Sequence, residues 1–405
     1  MVDLTAFLRD GKLTALPSKR KKRLAALSWL ADHIPPEREY TEREFGGLLN
    51  ELHTFGDPAA LRRELYDAAL IDRSPDGSGY RLNPGRPSWE ELLARYDPDG
   101  LELDFLRFSR HLTPGKEREQ APLMTEFVRS VRMAANAAGK ARGRRIALSA
   151  RVPEWRTAAR AFGLDVAAWV REGLVDEVVP CNMWAASNFD LRIDEWTREL
   201  AGLNPSVRVT PGTDFSVNGE SGTQNLMDYA AYCGWADCMY ARGAAEVYLF
   251  NVSYLAPETR RALYEKGLDA VTVARCRRRY PLTFHDGVPE GMDGGKVLPA
   301  NDRTNCSFRV FCGRAFPARE VTVVLGLTRA ENEFAVKEVL LNGNMTEQLP
   351  EQAKSVSGYG VKGRTKSVWR YRFPASALRA GTNVVTTCGM LQVARINWCE
   401  IEVEP

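Results

Sequence analysis

Two carboxylates and an arginine occur close together in one short segment of the chain. Glu102, Asp104 and Arg107 lie in residues 100–107, which read GLELDFLR. Apolar residues alternate with the two acids, so a strand here would place both carboxylates on the same face. Carboxylates about 7 Å apart along a strand can donate or accept protons on a substrate. The pattern equally fits a strand whose acids form structural ion pairs with nearby arginines, and both interpretations stay open.

A β-strand and α-helix alternation predicts the elements that must position these acids. The predicted strands are 100–105, 145–152, 177–182, 207–211 and 246–251, with one more near residue 270. The predicted helices between them are 123–138, 155–172, 193–200, 225–242 and 257–265. This alternation indicates a parallel sheet, and we expect it to wrap as a barrel. No GxGxxG or P-loop motif follows a strand, which argues against a nucleotide site.

Polar and aromatic residues follow the predicted strands, where a (β/α) barrel forms its active face. Besides Glu102 and Asp104, the candidates at or just after strand ends are Arg107, Arg151, Asn182, Trp184, Asp214, Asn251 and Tyr254. Aromatic rings stack on sugar rings, while acids and amides bind hydroxyl groups, so the set is typical of a carbohydrate site. The alternatives are turn formation for the two asparagines, packing for Trp184 and a simple strand-end charge for Arg151.

The same region resembles a known family. The runs DGLELDFLRF, ARVPEW, GLDVAAWVREGLVDEVVPCNMW and GAAEVYLFN are similar to an uncharacterised glycoside-hydrolase-like barrel family, from about residue 89 to the C-terminus. The resemblance implies that Glu102 and Asp104 carry the chemistry and that Arg107, Arg151, Asn182 and Asp214 contact sugar. In such barrels three βα units precede this strand, so we expect an open, partial barrel. Because acids two apart on one strand do not face each other across a substrate, Asp214 is the better catalytic partner for Glu102.

Residues 1–87 predict three helices followed by a short hairpin. Thr41 and Glu44 form a capping box, and Asp57 before Pro58 starts the third helix. The runs YTEREF, LRREL and LIDRSPDGSGYRL resemble a small bacterial domain of unknown function with a winged-helix-like plan, which accompanies transcriptional regulators. The basic residues Lys19 to Arg23, with Arg62, Arg63 and Arg73, suggest contact with DNA phosphates, but 14 Lys or Arg balance 13 Asp or Glu in this segment. Weak nucleic-acid binding and a protein-interaction module are both retained.

The last hundred residues alternate apolar and polar positions. Six predicted strands, at 307–311, 320–325, 336–342, 368–373, 382–387 and 396–403, indicate a β-sandwich. The segment 373–383, together with the Leu-Asn-Gly run before it, resembles the galactose-binding-like sandwich appended to many glycosidases. Such a module either binds sugar or buttresses the barrel. The predicted domains are therefore 1–87, 88–290 and 300–405.

Composition narrows the remaining possibilities. The 405 residues are 44% hydrophobic with a net charge of +3, enough for several cores but not a general polyanion binder. No apolar run predicts a signal peptide or membrane span, and we expect a cytoplasmic protein. Eight scattered cysteines without a CxxC pair predict free thiols, no metal and no cofactor. The leading prediction is a protein that acts on or binds carbohydrate; the alternatives are a sugar-sensing transcriptional regulator and a non-catalytic interaction protein.

Overall fold

The computed structural model describes most of the chain. The residues outside its description are 1–3, 5–6, 18–19, 36–37, 69, 75–77, 84–92, 94–95, 107–109, 183–186, 220–224, 284–297, 299, 301–304, 315–317, 330–335, 337, 347, 360–363 and 389–394. Two of the predicted site residues, Arg107 and Trp184, therefore lie outside the described residues. The contacts divide the chain into two compact units, Met1–Tyr96 and Asp97–Pro405. Within the described part, no helix is long and apolar enough to cross a membrane.

The first unit contains the three helices and the hairpin that its sequence predicts. Its elements are β1 (Leu8–Arg9), β2 (Lys12–Leu13), α1 (Arg20–Asp32), β3 (Glu39–Thr41), α2 (Glu42–Leu52), α3 (Pro58–Asp67), β4 (Ile71–Arg73) and β5 (Gly79–Leu82). Thr41 and Glu44 form the predicted capping box, and the Asp57 side chain accepts a hydrogen bond from the Ala60 N–H. The antiparallel sheet has the order β3-β5-β4. The buried faces of Phe45, Leu61 and neighbouring residues join these elements in one core.

The second unit begins with a curled parallel sheet, a half-barrel. Its strands are β6 (Gly100–Asp104), β7 (Ala147–Pro153), β8 (Glu177–Cys181), β9 (Arg208–Val209), β10 (Gly212–Thr213) and β13 (Tyr248–Leu249). The strand order is β6-β7-β8-β10-β13, all parallel, and β9 also pairs with β8. Two further short strands, β11 (Ser216–Val217) and β12 (Asn225–Leu226), form a separate hairpin. The predicted alternation of strands and helices is confirmed, and so is the predicted curling of the parallel sheet into a partial barrel.

Helices connect these strands, and one predicted strand is wrong. The helices are α4 (Glu117–Arg142), α5 (Arg156–Ala161), α6 (Val166–Arg171), α7 (Ile193–Ala201), α8 (Tyr229–Ala241), α9 (Pro257–Lys266) and α10 (Ala270–Ala274). The strand expected near residue 270 is instead α10. The Asp269 carboxylate caps this helix by accepting hydrogen bonds from the Val271 and Thr272 N–H groups, which outweighs the strand preference of the β-branched residues.

Two antiparallel sheets complete the second unit. The strands are β14 (Arg278–Pro281), β15 (Asn305–Phe311), β16 (Glu320–Leu327), β17 (Glu338–Leu341), β18 (Asn344–Met345), β19 (Glu351–Gln352), β20 (Ser367–Phe373), β21 (Thr382–Cys388) and β22 (Ile396–Glu404). Their orders are β14-β22-β16-β20-β19 and β15-β21-β17-β18. One hydrophobic core joins these sheets to α8, whose Trp235 is fully buried. The sandwich assignment and the predicted domain boundaries stay predictions.

Candidate functional site

Glu102 lies on the concave face of the half-barrel. The Tyr248 hydroxyl donates a hydrogen bond to Glu102 Oε1 at 3.0 Å. Glu102 is on β6 and Tyr248 on β13, the two ends of the strand order. Five strands spaced about 4.8 Å apart would separate these residues widely in a flat sheet. The hydrogen bond therefore shows how strongly the sheet curls, and it places both side chains on the inner face.

Asp104 is held in an ion pair on the same face. Arg151 lies opposite Asp104 in the β6–β7 register, and its Nε donates to Asp104 Oδ1 at 3.1 Å while its Nη2 donates to Oδ2. The Leu106 N–H also donates to Asp104 Oδ1, at 3.0 Å. The Arg151 guanidinium lies 3.5 Å from the centre of the Phe250 ring, and its side chain is 1% exposed. The structural ion pair left open by the sequence thus exists for Asp104.

Asp214 and Asn182 meet at the carboxyl ends of β8 and β10. Asn182 Oδ1 accepts a hydrogen bond from the Asp214 N–H at 3.2 Å, and both residues are buried. Cys181, the residue before Asn182, is also fully buried. Burial, helped by the negative charge of Asp214, raises the pKa of the Cys181 thiol well above its usual range, so the thiol stays neutral.

Asn251 and Tyr254 lie beyond the end of β13. Asn251 has a left-handed backbone, φ 56°, and precedes a short 3-10 helix, Val252–Tyr254. Asparagine tolerates this conformation better than most residues, which supports the turn-forming interpretation of Asn251. Tyr254 is 63% exposed, and its ring centre lies 5.2 Å from that of Phe215. The parallel sheet brings Glu102, Asp104 and Arg151 together on one face. None of the hydrogen bonds or ring contacts between the described residues joins Asn251 or Tyr254 to these three residues.

Sequence reasoning missed the two aromatic residues that complete the cluster. Tyr248 and Phe250 alternate along β13 and its carboxyl end, so both face Glu102 and Arg151. The run EVYLFN contains this alternation, which could have indicated them. Burial, followed by the adjacent Glu102 charge, raises the pKa of Tyr248 to about 12. Tyr248 therefore remains a protonated hydrogen-bond donor to Glu102 across the neutral pH range.

A cavity of about 250 Å³ opens beside Glu102. Its wall is formed by the first residues of the parallel strands, including Gly100, Ala147 and Glu177, with Arg208 at the rim. The cavity therefore lies toward the amino ends of the strands, whereas the sequence predicts a site at their carboxyl ends. Glu102, in the middle of β6, is the predicted residue that reaches this space. Among the described residues, no group of three His, Cys, Asp or Glu is arranged to hold a metal ion.

Comparisons with known proteins identify the N-terminal segment but not the rest. Residues 12–82 match the model of a family described as "Uncharacterized protein conserved in bacteria (DUF2087)". This match confirms the predicted small bacterial domain of unknown function, and it covers less than a fifth of the chain. No curated protein matches the chain.

Several solved structures, among them two chitinases and a β-porphyranase, are weakly similar to this chain. A chitinase from Chromobacterium violaceum ATCC 12472 is 9% identical, with a TM-score of 0.31, over 63% of this chain and 86% of that one. The chitinase ChiW from Paenibacillus sp. str. FPU-7 is 11% identical, with a TM-score of 0.32, over 97% and 50%. A β-porphyranase of glycoside hydrolase family 86 from Bacteroides plebeius is 8% identical, with a TM-score of 0.22, over 71% and 74%. A similarity this low assigns no function, and the half-barrel is established by its strand pairing alone.

Proposed function

We propose that the chain binds carbohydrate on the concave face of the half-barrel and that Glu102 is its candidate catalytic residue. The observation that carries the proposal is the hydrogen bond from Tyr248 to Glu102, which joins the two ends of the curled sheet. It fixes an exposed carboxylate beside aromatic and polar side chains on one concave surface. Carboxylates bind sugar hydroxyls and exchange protons with glycosidic oxygens, while aromatic faces pack on sugar rings.

The two acids on β6 have different roles in this proposal. Asp104 accepts two hydrogen bonds from Arg151, so it orients that guanidinium and is a positioning residue. Glu102 has Tyr248 as its hydrogen-bond donor and keeps an exposed carboxylate for a ligand. Glycoside hydrolysis needs a second carboxyl group across the substrate. Asp214, which directly follows β10, is the proposed partner. Sugar contact remains a prediction for Arg107, Arg151, Asn182, Trp184, Asn251 and Tyr254.

Glu102→Gln tests the proposal most directly. The amide keeps the shape and the acceptor oxygen for Tyr248 but cannot supply a proton, so a hydrolytic activity should fall about 10²- to 10⁴-fold. A panel of chromogenic glycosides measures hydrolysis, and a glycan array measures binding. We expect the variant to retain binding to the sugars that the wild-type protein recognises while its turnover is lost.

Glu126→Gln is the matched control, because Glu126 is an exposed glutamate on α4 that pairs with Arg129 and lies outside the cluster. It should behave as the wild-type protein in both assays. Equal turnover by the Glu102→Gln and Glu126→Gln variants would remove Glu102 from the chemistry. If the wild-type protein binds no glycan and cleaves no glycoside, the proposed function is wrong as a whole.

A second candidate is DNA binding by the first unit, within a sugar-sensing transcriptional regulator. Its helices and strands follow one another as helix, strand, helix, helix and hairpin, with sheet order β3-β5-β4, which supports a winged-helix interpretation. In that interpretation α3 would enter the major groove and present Arg63, which is exposed. Arg62 on the same helix is engaged by Glu42 at 2.6 Å, and Arg23 by Glu64. These ion pairs reduce the charge available for phosphates, and a non-catalytic protein-interaction role is the remaining alternative.

Arg63→Ala tests this second candidate. If Arg63 contacts a phosphate, the variant should reduce the slope of log affinity against log salt by about 1. Fluorescence anisotropy with a panel of labelled duplexes measures the slope, and Arg198→Ala, on the exposed face of α7, is the control. A regulator should also prefer one sequence. Binding that ignores sequence and disappears at modest salt would contradict the regulator interpretation.

A further inference from the structure

A second cavity lies in the second unit, formed by residues other than those of the concave face. It has a volume of about 420 Å³, within the range of small-molecule sites. Residues that follow β7 and β8 form one side, and the end of β14 with strand β15 forms the other. The aromatic side chains in its wall are Trp155, Phe189 and Phe311. An aromatic wall of this kind can pack against the ring of a ligand.

Two buried polar side chains in the cavity wall have groups that make no hydrogen bond to the residues that the structure describes. Asn188 is 5% exposed, and its Oδ1 accepts from the Asp190 N–H at 2.8 Å, which fixes the orientation of the amide. Within the described part of the chain, its Nδ2 makes no hydrogen bond. Thr283 is 7% exposed, and its hydroxyl likewise has no partner among the described residues. Buried polar groups are nearly always hydrogen-bonded, so these two suit a ligand rich in hydroxyl oxygens.

Among the charged residues that line the cavity, Arg309 has no acidic partner within the described part of the chain. The Asp190 carboxylate pairs with Arg242, whose guanidinium also stacks on Phe311. Arg192 pairs with Glu195 at 3.0 Å. Arg309, on β15, is exposed at the cavity and forms no ion pair with any residue that the structure describes. The local charge therefore favours a ligand with one negative group near Arg309.

We propose that this cavity binds a sugar acid, a mono- or disaccharide that carries one carboxylate. The sugar ring packs on Trp155, its hydroxyl groups bind Asn188 and Thr283, and its carboxylate pairs with Arg309. Each part of the cavity selects for one part of this ligand. A neutral sugar leaves Arg309 without a counter-charge, and an aromatic acid leaves the two buried polar groups without partners.

Calorimetric titration of the full chain with glucuronate, glucose and benzoate tests the proposal. A charge-assisted hydrogen bond should make glucuronate bind about tenfold more tightly than glucose. Arg309→Gln should abolish that difference and leave glucose binding unchanged. Thr283→Val should weaken both sugars by a similar factor. Absence of glucuronate binding overturns the proposal, and so does benzoate binding as tightly as glucuronate.

Two controls keep the result interpretable. Arg372→Gln removes an arginine of β20 that pairs with Glu351, outside the cavity, and should leave glucuronate affinity unchanged. Glu102→Gln should also leave it unchanged, because Glu102 is not part of this wall. Loss of glucuronate binding in the Glu102→Gln variant would therefore place the sugar acid on the concave face and overturn the second site. Conversely, if the glycosides and glycans show no activity or binding at the concave face, the effect of Arg309→Gln on glucuronate affinity can still be measured.

Discussion

Glu402→Ala should lower the free energy of unfolding by about 3 to 5 kcal/mol, because it removes the anion at the centre of a buried ionic network. The Glu402 carboxylate accepts hydrogen bonds from Arg370, from Arg277 at 2.9 Å and from the Tyr359 hydroxyl at 2.9 Å, and its side chain is 1% exposed. Without it, Arg370, whose side chain is 22% exposed, loses the carboxylate with which it pairs, whereas Arg277 keeps Glu404 as a counter-charge. Urea unfolding followed by tryptophan fluorescence measures the change.

Glu351→Ala is the control for this prediction. Glu351 is also a strand glutamate paired with an arginine, Arg372, but its side chain is 59% exposed. Ion pairs exposed to water contribute little, so the loss should stay below about 1 kcal/mol. A Glu402→Ala variant as stable as Glu351→Ala would show that the network does not contribute to stability.

Glu400, which lies two residues before Glu402 on β22, should make protein stability depend on pH with the opposite sign to Glu402. Burial, reinforced by the adjacent Glu402 carboxylate, raises the pKa of Glu400, although Arg279 opposes the shift. Burial acts against ionisation of Glu402 as well, but hydrogen bonds from Glu400 and Arg370 lower the pKa of Glu402. Above about pH 4.3 the unfolded chain loses the Glu400 proton while the folded chain keeps it, so this residue makes stability fall as pH rises. The Glu402 contribution is instead lost in acid, as pH falls toward its lowered pKa.

Glu400→Gln separates the two effects. Because the amide cannot ionise, the stability of the variant should no longer fall as pH rises from the ordinary glutamate pKa to the raised pKa of Glu400. The loss of stability in acid, which comes from Glu402, should remain. Unfolding free energies of both proteins across this range measure the difference. A constant offset between the two curves would mean that Glu400 is ionised throughout.

The same strand shows what sequence patterning can and cannot predict. The alternation in CEIEVE predicts the second half of β22 correctly, since Cys399, Ile401 and Val403 on one face enter the core. By itself the alternation assigns Glu400 and Glu402 to a solvated face. They are buried because Arg279, Arg370 and Tyr359, from distant parts of the chain, cover them. Pairings between segments so far apart leave no local periodic signal.

The concave face shows the same limit. Alternation along β6 correctly puts Glu102 and Asp104 on one face, and parallel pairing with β7 brings Arg151 beside Asp104. Tyr248 meets Glu102 across 146 positions of sequence, only because the stagger of the intervening strands curls the sheet. The curl depends on the register of every strand pair in the sheet, so no single segment of the sequence determines it. The sequence thus predicts the acids, and the curled sheet determines what they contact.

Gly234→Ala should destabilise the second unit by about 3 kcal/mol, although alanine is the better helix former. A Cβ at Gly234, on α8, would lie 2.0 Å from the Arg279 carbonyl oxygen and 2.8 Å from its carbonyl carbon. These are backbone atoms of β14, which pairs with β22 along four residues, so they cannot move aside alone. Differential scanning calorimetry measures the loss, and an unchanged transition would show that helix and strand can separate at little cost.

Gly47→Ala is the matched helical control. Gly47 is an exposed residue of α2, and no atom lies within 4 Å of the position that an alanine Cβ would occupy there, so only helix propensity changes. Alanine should raise stability by about 0.5 to 1 kcal/mol at this position. The opposite signs expected at the two glycines isolate the close approach of α8 to β14. That approach also holds Arg279, whose guanidinium pairs with Glu400, so Gly234→Ala should shift the pH dependence of stability while Gly47→Ala leaves it unchanged.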